Sequence, residues 1–224
     1  MTDNRLECGG DGFGCLITEN PTANCGDFIS PEQIIPPLED GLRTPQGDTV
    51  PWESCMTSNN NWGYVQFDHE YKYGPTIIKK LVECVSKGGN MLLNLGLTAR
   101  GELPRSSVEA LEQVGRWMHD NGKAIYGCAA SGLLRPEFGR YTRQGNYIYA
   151  HVMEPSVGPV CLRGIRPEQV KKARLVSNGA ELLLAESWAT KLYPDCAFVS
   201  LGPDPLASYA LPDPIDTVIE IELK

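Results

Sequence analysis

Pro51-Trp52-Glu53-Ser54-Cys55-Met56-Thr57, continued by Asn61-Trp62-Gly63-Tyr64 and followed by Gly88-Gly89-Asn90-Met91-Leu92-Leu93-Asn94, is the stretch whose reading decides the fold. Each piece joins a short apolar run to a carboxylate, an aromatic ring or an amide at its end. Barrels of parallel strands and helices keep their chemistry at such strand ends. These residue types suit a sugar, because aromatic faces hold the apolar faces of pyranose rings while carboxylates and amides read hydroxyls and transfer protons.

Working outward, a helix is predicted over about 75–87. Pro75 suits its first turn, Ile77, Ile78, Leu81, Val82 and Val85 make one stripe, and Gly88 stops it. Met91-Leu92-Leu93-Asn94-Leu95 then reads as a short buried strand. A second helix is predicted from Ser106, in a capping box with Glu109, burying Val108, Leu111, Val114 and Met118 and ending at Asn121-Gly122. Trp117 lies on that apolar stripe and reads as core. Helix, strand, loop and helix in this order are βα units of a parallel α/β domain. Residues 1 to about 50, rich in Gly, Pro, Asn and Asp, read as long loops with one short helix.

After about Gly132 the apolar period changes from 3.6 to 2. Tyr147–Val152, Val160–Leu162, Ala173–Val176, Ala180–Leu184, Ala197–Ser200 and Thr217–Leu223 read as strands, with hairpin signals at Gly145-Asn146 and Asn178-Gly179. Short, turn-separated strands of this kind predict an antiparallel sandwich. The fold class expected is therefore α/β: a partial (β/α) TIM-type barrel over residues 1–130, followed by an antiparallel β-sandwich over 131–224.

The 224 residues are 42% hydrophobic, enough for a substantial core, and carry 20 basic against 28 acidic side chains, a net charge of −8. That balance repels a nucleic-acid backbone or an anionic membrane, so neither is an expected partner. Met1-Thr2-Asp3-Asn4-Arg5 has no signal-peptide pattern, and the chain as it stands reads as cytoplasmic, with a secreted or periplasmic parent as the alternative. The eight cysteines, at 8, 15, 25, 55, 84, 128, 161 and 196, show no Cys-x-x-Cys and no histidine at ligand spacing, so no metal or other cofactor is expected. They read as reduced thiols, a pair among Cys8, Cys15 and Cys25 being the exception left open.

Asp3-Asn4-Arg5, Gly26-Asp27-Phe28 with Pro31-Glu32-Gln33, Trp52-Glu53-Ser54-Cys55-Met56-Thr57, Trp62-Gly63-Tyr64 and Ser86-Lys87-Gly88-Gly89-Asn90-Met91-Leu92-Leu93-Asn94 follow one another in order. Together with Gly115-Arg116-Trp117 and Asn121-Gly122-Lys123-Ala124-Ile125-Tyr126-Gly127, they resemble the C-terminal part of a glycoside hydrolase family 29 α-L-fucosidase. The match is dense from about residue 3 to 128 and rests on sandwich architecture beyond about 132. The resemblance implies retaining hydrolysis of a terminal α-L-fucosyl linkage by an Asp nucleophile and a carboxylic acid/base roughly 5–5.5 Å apart. Its substrate would be a fucosylated oligosaccharide or glycoconjugate.

Glu32 matches the position expected of the acid/base. Its bland reading is a first-turn helix residue after Pro31. Glu53 and Asp27 are the runners-up, Glu53 being equally suited to accept from a sugar hydroxyl and Asp27 to a turn beside Gly26. Arg5, Trp52, Glu53, Trp62 and Asn94 are the candidate substrate-binding residues. Against them stand a solvated terminal arginine for Arg5, a core ring for Trp62 and a loop cap for Asn94. His69, His119 and His151 fall outside the matched motifs and read as surface or packing residues. None of the four tryptophans has an Asp two residues later, the setting in which the family's nucleophile stands. A barrel of this type takes about 250 residues, so the chain is expected to hold the later strands without the nucleophile, to be inactive alone and to carry an open edge that lowers solubility. A homo-oligomer or a complementing barrel half is the protein partner this implies. Rival readings are a non-catalytic carbohydrate-binding or structural module and a different barrel glycosidase.

Overall fold

Three parallel chain segments and the helix between two of them organise the first of two units. In the computed structural model, which describes residues 27–224, the units divide between Arg116 and Trp117. Strands β1 (Leu42–Arg43) and β2 (Thr49–Val50) form a small antiparallel hairpin, and β3 (Glu53–Thr57) follows. Helix α1 (Gly74–Ser86) then carries the chain to β4 (Asn90–Asn94), which pairs with β3 in parallel, Glu53 opposite Asn90 and Thr57 opposite Asn94. On the other side of β3, residues 29–33 run parallel to it. The Ile29 and Gln33 amides donate to the Pro51 and Cys55 carbonyls at 3.0 and 2.8 Å, and those of Glu53 and Cys55 donate to Ile29 and Pro31, each at 2.9 Å.

The predicted stop at Gly88 is present. Gly88 has φ +76°, its amide donates to Val85 and that of Gly89 to Cys84, each at 2.9 Å, which is the paired bonding of a Schellman cap. Gly89 also lies against the Trp52 ring, where an added Cβ would fall 2.2–2.4 Å from ring atoms. Trp52 is 2% exposed and packs with Ile29, Val50 and Cys84 of α1. Alternation along a strand then sets both faces: Trp52, Ser54 and Met56 turn to the helix side, while Glu53, Cys55 and Thr57 turn the other way.

Two details depart from expectation. β4 is not the buried strand its composition predicts. Among the described residues it has β3 as its one neighbour, and Leu92 is 49% exposed. Helix α2 (Arg105–Asn121) starts before Ser106, with Ser107 and Val108 amides donating to Pro104 at 3.0 and 3.1 Å, so Ser106 lies inside the helix and no capping box forms. Glu109 instead accepts from Arg105 Nε at 2.6 Å. The buried line of α2 is Ser107, Ala110, Trp117 and Asn121, whereas Val108 is exposed and Leu111, Val114 and Met118 are half-buried.

The second unit is an antiparallel sheet of eight strands: β5 (Ala129–Ala130), β6 (Gly139–Gln144), β7 (Tyr147–Val152), β8 (Val160–Arg163), β9 (Val170–Leu175), β10 (Glu181–Leu184), β11 (Cys196–Ser200) and β12 (Thr217–Leu223). Their order is β5-β6-β7-β12-β9-β10-β11-β8. β10 joins two layers, pairing through Leu182 with Ala173 of β9 and through Leu183 with Ser200 of β11. Both layers bury one core, with Ile148, Val152, Leu162, Val199, Ile219 and Ile221 at its centre. Both hairpin signals are realised, with Gly145 at φ +58° and Gly179 at φ +72°. This is the predicted sandwich.

His151 is a packing residue, as expected. It is fully buried, with Nδ1 2.7 Å from Asp216 Oδ2 and Nε2 3.1 Å from Thr142 Oγ1. The Thr142 hydroxyl also donates to the Ala124 carbonyl at 2.7 Å. A second polar knot surrounds Glu220 of β12, bound by Arg174 Nε and, at 2.6 Å, by Lys123 Nζ. Burial by itself would raise the Glu220 carboxyl, but the bonds from Lys123 and Arg174 outweigh it and hold it below the ordinary 4.5.

Two outcomes are expected. Gly89→Ala forces a methyl into the Trp52 ring and costs about 1–3 kcal/mol, read as a lower urea midpoint with unchanged slope. The depressed Glu220 carboxyl contributes stability that is present above pH 4.5 and lost as pH falls through its lower folded value. Glu220→Gln therefore unfolds with a flatter pH dependence below 4.5 than the unmodified protein, followed by thermal melts across that range.

Candidate active site

The parallel register gathers side chains from three segments onto the face opposite the helix. Glu32, Cys55 and Leu92 form one row across it, Thr57 and Asn94 the next row toward the carboxyl ends, and Glu53 and Asn90 the row on the amino side. With two residues between rows, neighbouring rows lie about 7 Å apart along the strands. Glu32 is one row from Asn94, and Glu53 is two. Both are on the open face, Glu32 exposed and Glu53 half-buried.

At the carboxyl ends a polar clamp holds the loop between β3 and α1. Gln33, in the left-handed region at φ +59°, donates from Nε2 to Thr57 Oγ1 at 2.9 Å and accepts at Oε1 from the Thr57 amide at 3.3 Å. The Ser58 amide donates to the Asn94 carbonyl at 2.9 Å, and Asn94 Nδ2 donates to the Trp62 carbonyl at 2.6 Å. Lys72 Nζ reaches the carbonyls of Thr57 and Asn59 at 2.6 and 3.3 Å. Burial pushes the Lys72 ammonium down, against the attraction of Asp68. Asp68 accepts from Asn61 Nδ2 at 2.6 Å and from the Asn60 amide at 3.0 Å, and the Asn61 bond chiefly holds its carboxyl below the usual range. Gly96 completes the contact, since a Cβ there would fall 2.6 Å from Gly63 and Tyr64 backbone atoms.

The clamped loop displays aromatic surface: Trp62 is 43% exposed, Phe67 83%, and Tyr64 and Tyr73 are also open to solvent. Exposed aromatic rings, a carboxylate and an amide are the residue types that suit a pyranose and proton transfer to its glycosidic oxygen.

Of the predicted residues, Glu32, Glu53 and Asn94 share the open face, and Trp62 stands in the loop that Asn94 holds. Trp52 is a correction. Its ring is core on the helix side of the sheet and offers no face to a sugar. Asp27 is exposed at the amino end of its segment, away from Asn94. Arg5 lies outside the described residues. The reading of the sequence missed Gln33, Lys72 and Asp68. The run Ser58-Asn59-Asn60-Asn61 directly after an apolar strand signals a hydrogen-bonded loop, but the sequence does not reveal what binds it.

Residues 16–123 match the family model described as α-L-fucosidase. Over this stretch the chain is similar to the α-L-fucosidases. It is 37% identical over 163 residues to the tissue α-L-fucosidase of Bos taurus, covering 67% of this chain and 31% of that protein. With the plasma α-L-fucosidase of Rattus norvegicus it shares 34% over 118 residues, 51% of this chain and 23% of that protein. Among solved structures, α-L-fucosidase isoenzyme 1 of Paenibacillus thiaminolyticus superposes with a TM-score of 0.84 at 45% identity, covering 92% of this chain and 47% of that one. The family 29 α-L-fucosidase of Bacteroides thetaiotaomicron, trapped as a covalent intermediate with 2-fluoro-fucosyl fluoride, gives 0.70 at 27% identity, covering 90% and 44%. The chain thus spans less than half of these structures and less than a third of the curated relatives, and it corresponds to the C-terminal part of the α-L-fucosidases.

Gly96→Ala is expected to cost about 1–3 kcal/mol and to speed proteolytic cleavage within residues 58–73. Gly63→Ala meets nothing within 4 Å and is expected to change stability by less than about 0.5 kcal/mol. Urea melts and limited proteolysis of the two variants check both.

Proposed function

We propose that this chain carries the acid/base and part of the sugar-binding wall of a retaining α-L-fucosidase acting on terminal α-L-fucosyl linkages of glycans. The observation that carries the reading is the register of Glu32 with Cys55, which sets an exposed carboxylate on the same face as Asn94, the residue that binds the Trp62 carbonyl. Similarity to the α-L-fucosidases supports the substrate class. Glu32 in its acid form donates its proton to the glycosidic oxygen as the bond to the anomeric carbon breaks, and its carboxylate then takes a proton from the water that hydrolyses the glycosyl-enzyme. Asn94, anchored through Trp62, and the exposed aromatic rings hold the sugar. The nucleophile is assigned to no residue of this chain.

The test co-expresses the chain with the complementary N-terminal half of the Paenibacillus thiaminolyticus enzyme and follows release from an aryl α-L-fucoside. Glu32→Ala is expected to lower turnover of a natural fucosylated glycan by about 10²–10⁴-fold, and that of an aryl fucoside with a good leaving group far less. The same signature in Glu53→Ala overturns the assignment of Glu32. Absence of fucose release at every pH overturns the activity.

A further inference from the structure

Cys161 and Cys196 lie far apart in the chain and meet in the sandwich. β8 pairs with β11 so that Cys161 faces Phe198 and Cys196 faces Arg163. The two cysteines are therefore diagonal neighbours on one face, within side-chain reach of each other, and the Cys196 thiol is near enough to help raise that of Cys161. Both are partly exposed. Both line a cavity of about 570 Å³, together with Arg163, Phe198, Glu137 and Glu154. β8 ends the sheet, with β11 as its one partner among the described residues, so it can give by the small backbone shift that a diagonal pair needs to reach disulfide geometry.

We propose that Cys161 and Cys196 form a reversible dithiol–disulfide site, oxidised by a small-molecule disulfide of the glutathione type that enters this cavity. The volume fits such a ligand, and Arg163 offers a cation to its carboxylates, opposed by Glu137 and Glu154 at the cavity wall. Cys196 reacts first. Its thiolate attacks one sulfur of the small disulfide, the S–S bond breaks, and one small thiolate leaves and takes up a proton. Cys161 then gives its proton to solvent and attacks Cys196 Sγ of the mixed disulfide, expelling the second small thiol. The net change is one protein dithiol and one small disulfide going to one protein disulfide and two small thiols. Two electrons pass from the protein to the reagent. The order follows from surroundings, since burial first and the neighbouring Cys196 second push the Cys161 thiol up to about 12, which disfavours it as the first nucleophile.

The whole chain is treated with oxidised glutathione, alkylated, digested with trypsin and mapped by mass spectrometry. The expected result is the peptide ending at Arg163 joined to the peptide containing Cys196, two hydrogens lighter than the reduced pair together, with both cysteines protected from alkylation until dithiothreitol is added. Cys161→Ser is expected to trap one glutathionyl group on Cys196, and Cys196→Ser to leave Cys161 alkylatable. Cysteines 161 and 196 that both remain alkylatable, that both keep glutathione, or that pair with other cysteines overturn the proposal.

Discussion

The seat of the Trp52 ring on Gly89 is the contact on which the first unit depends. It buries one face of β3 against α1, and since neighbouring strand residues point to opposite sides, it commits Glu53, Cys55 and Thr57 to the other. A slip of one residue would exchange the two faces. The cap at Gly88 ends α1 where β4 must begin, so Asn90 falls opposite Glu53 and Asn94 opposite Thr57. The same register, extended to residues 29–33, fixes Glu32 beside Cys55. Gly89 contributes here by what it omits, a Cβ that would stand in the ring.

Chemistry then concentrates where backbone bonding runs out. Beyond Ser58, whose amide still bonds the Asn94 carbonyl, side chains of Gln33, Lys72, Asp68 and Asn94 bind the polar groups of the strand end and the loop. That network holds a loop rich in exposed aromatic surface against the carboxyl ends of the parallel strands, the face where barrels of this type act. The exposure of Leu92 one row below is the apolar remainder of the same face.

Helix α1, its glycine stop, the two sandwich hairpins and most sandwich strands were legible, because each rests on periodicity or turn chemistry that is local in the chain. β6 was not, since Arg140 and Thr142 are polar in sequence and buried in the fold, and burial is a property of the pairing with β7. The start of α2 was misread because Pro104 supplies the first carbonyl and leaves Ser106 inside the helix. Trp52 beside Glu53 reads as an aromatic platform next to a carboxylate, yet adjacent residues of one strand cannot share a face, so alternation itself argues against the pair. The meeting of Cys161 with Cys196 and the binding of Glu220 by Lys123 and Arg174 depend on registers between distant strands, and no spacing in the sequence encodes them.

In the proposed site, Glu32, Asn94 and the Trp62 loop form one sugar-binding face while Trp52 lies behind the sheet. A crystal structure of the chain joined to a complementary barrel half, with a fucose-configured inhibitor bound, tests it most directly. The predicted result is the inhibitor on the open face, the Glu32 carboxylate within hydrogen-bond distance of its anomeric substituent and Asn94 beside it. An inhibitor whose anomeric substituent is met by Glu53 or Asp27, with Glu32 turned away, would rule out Glu32 as the acid/base.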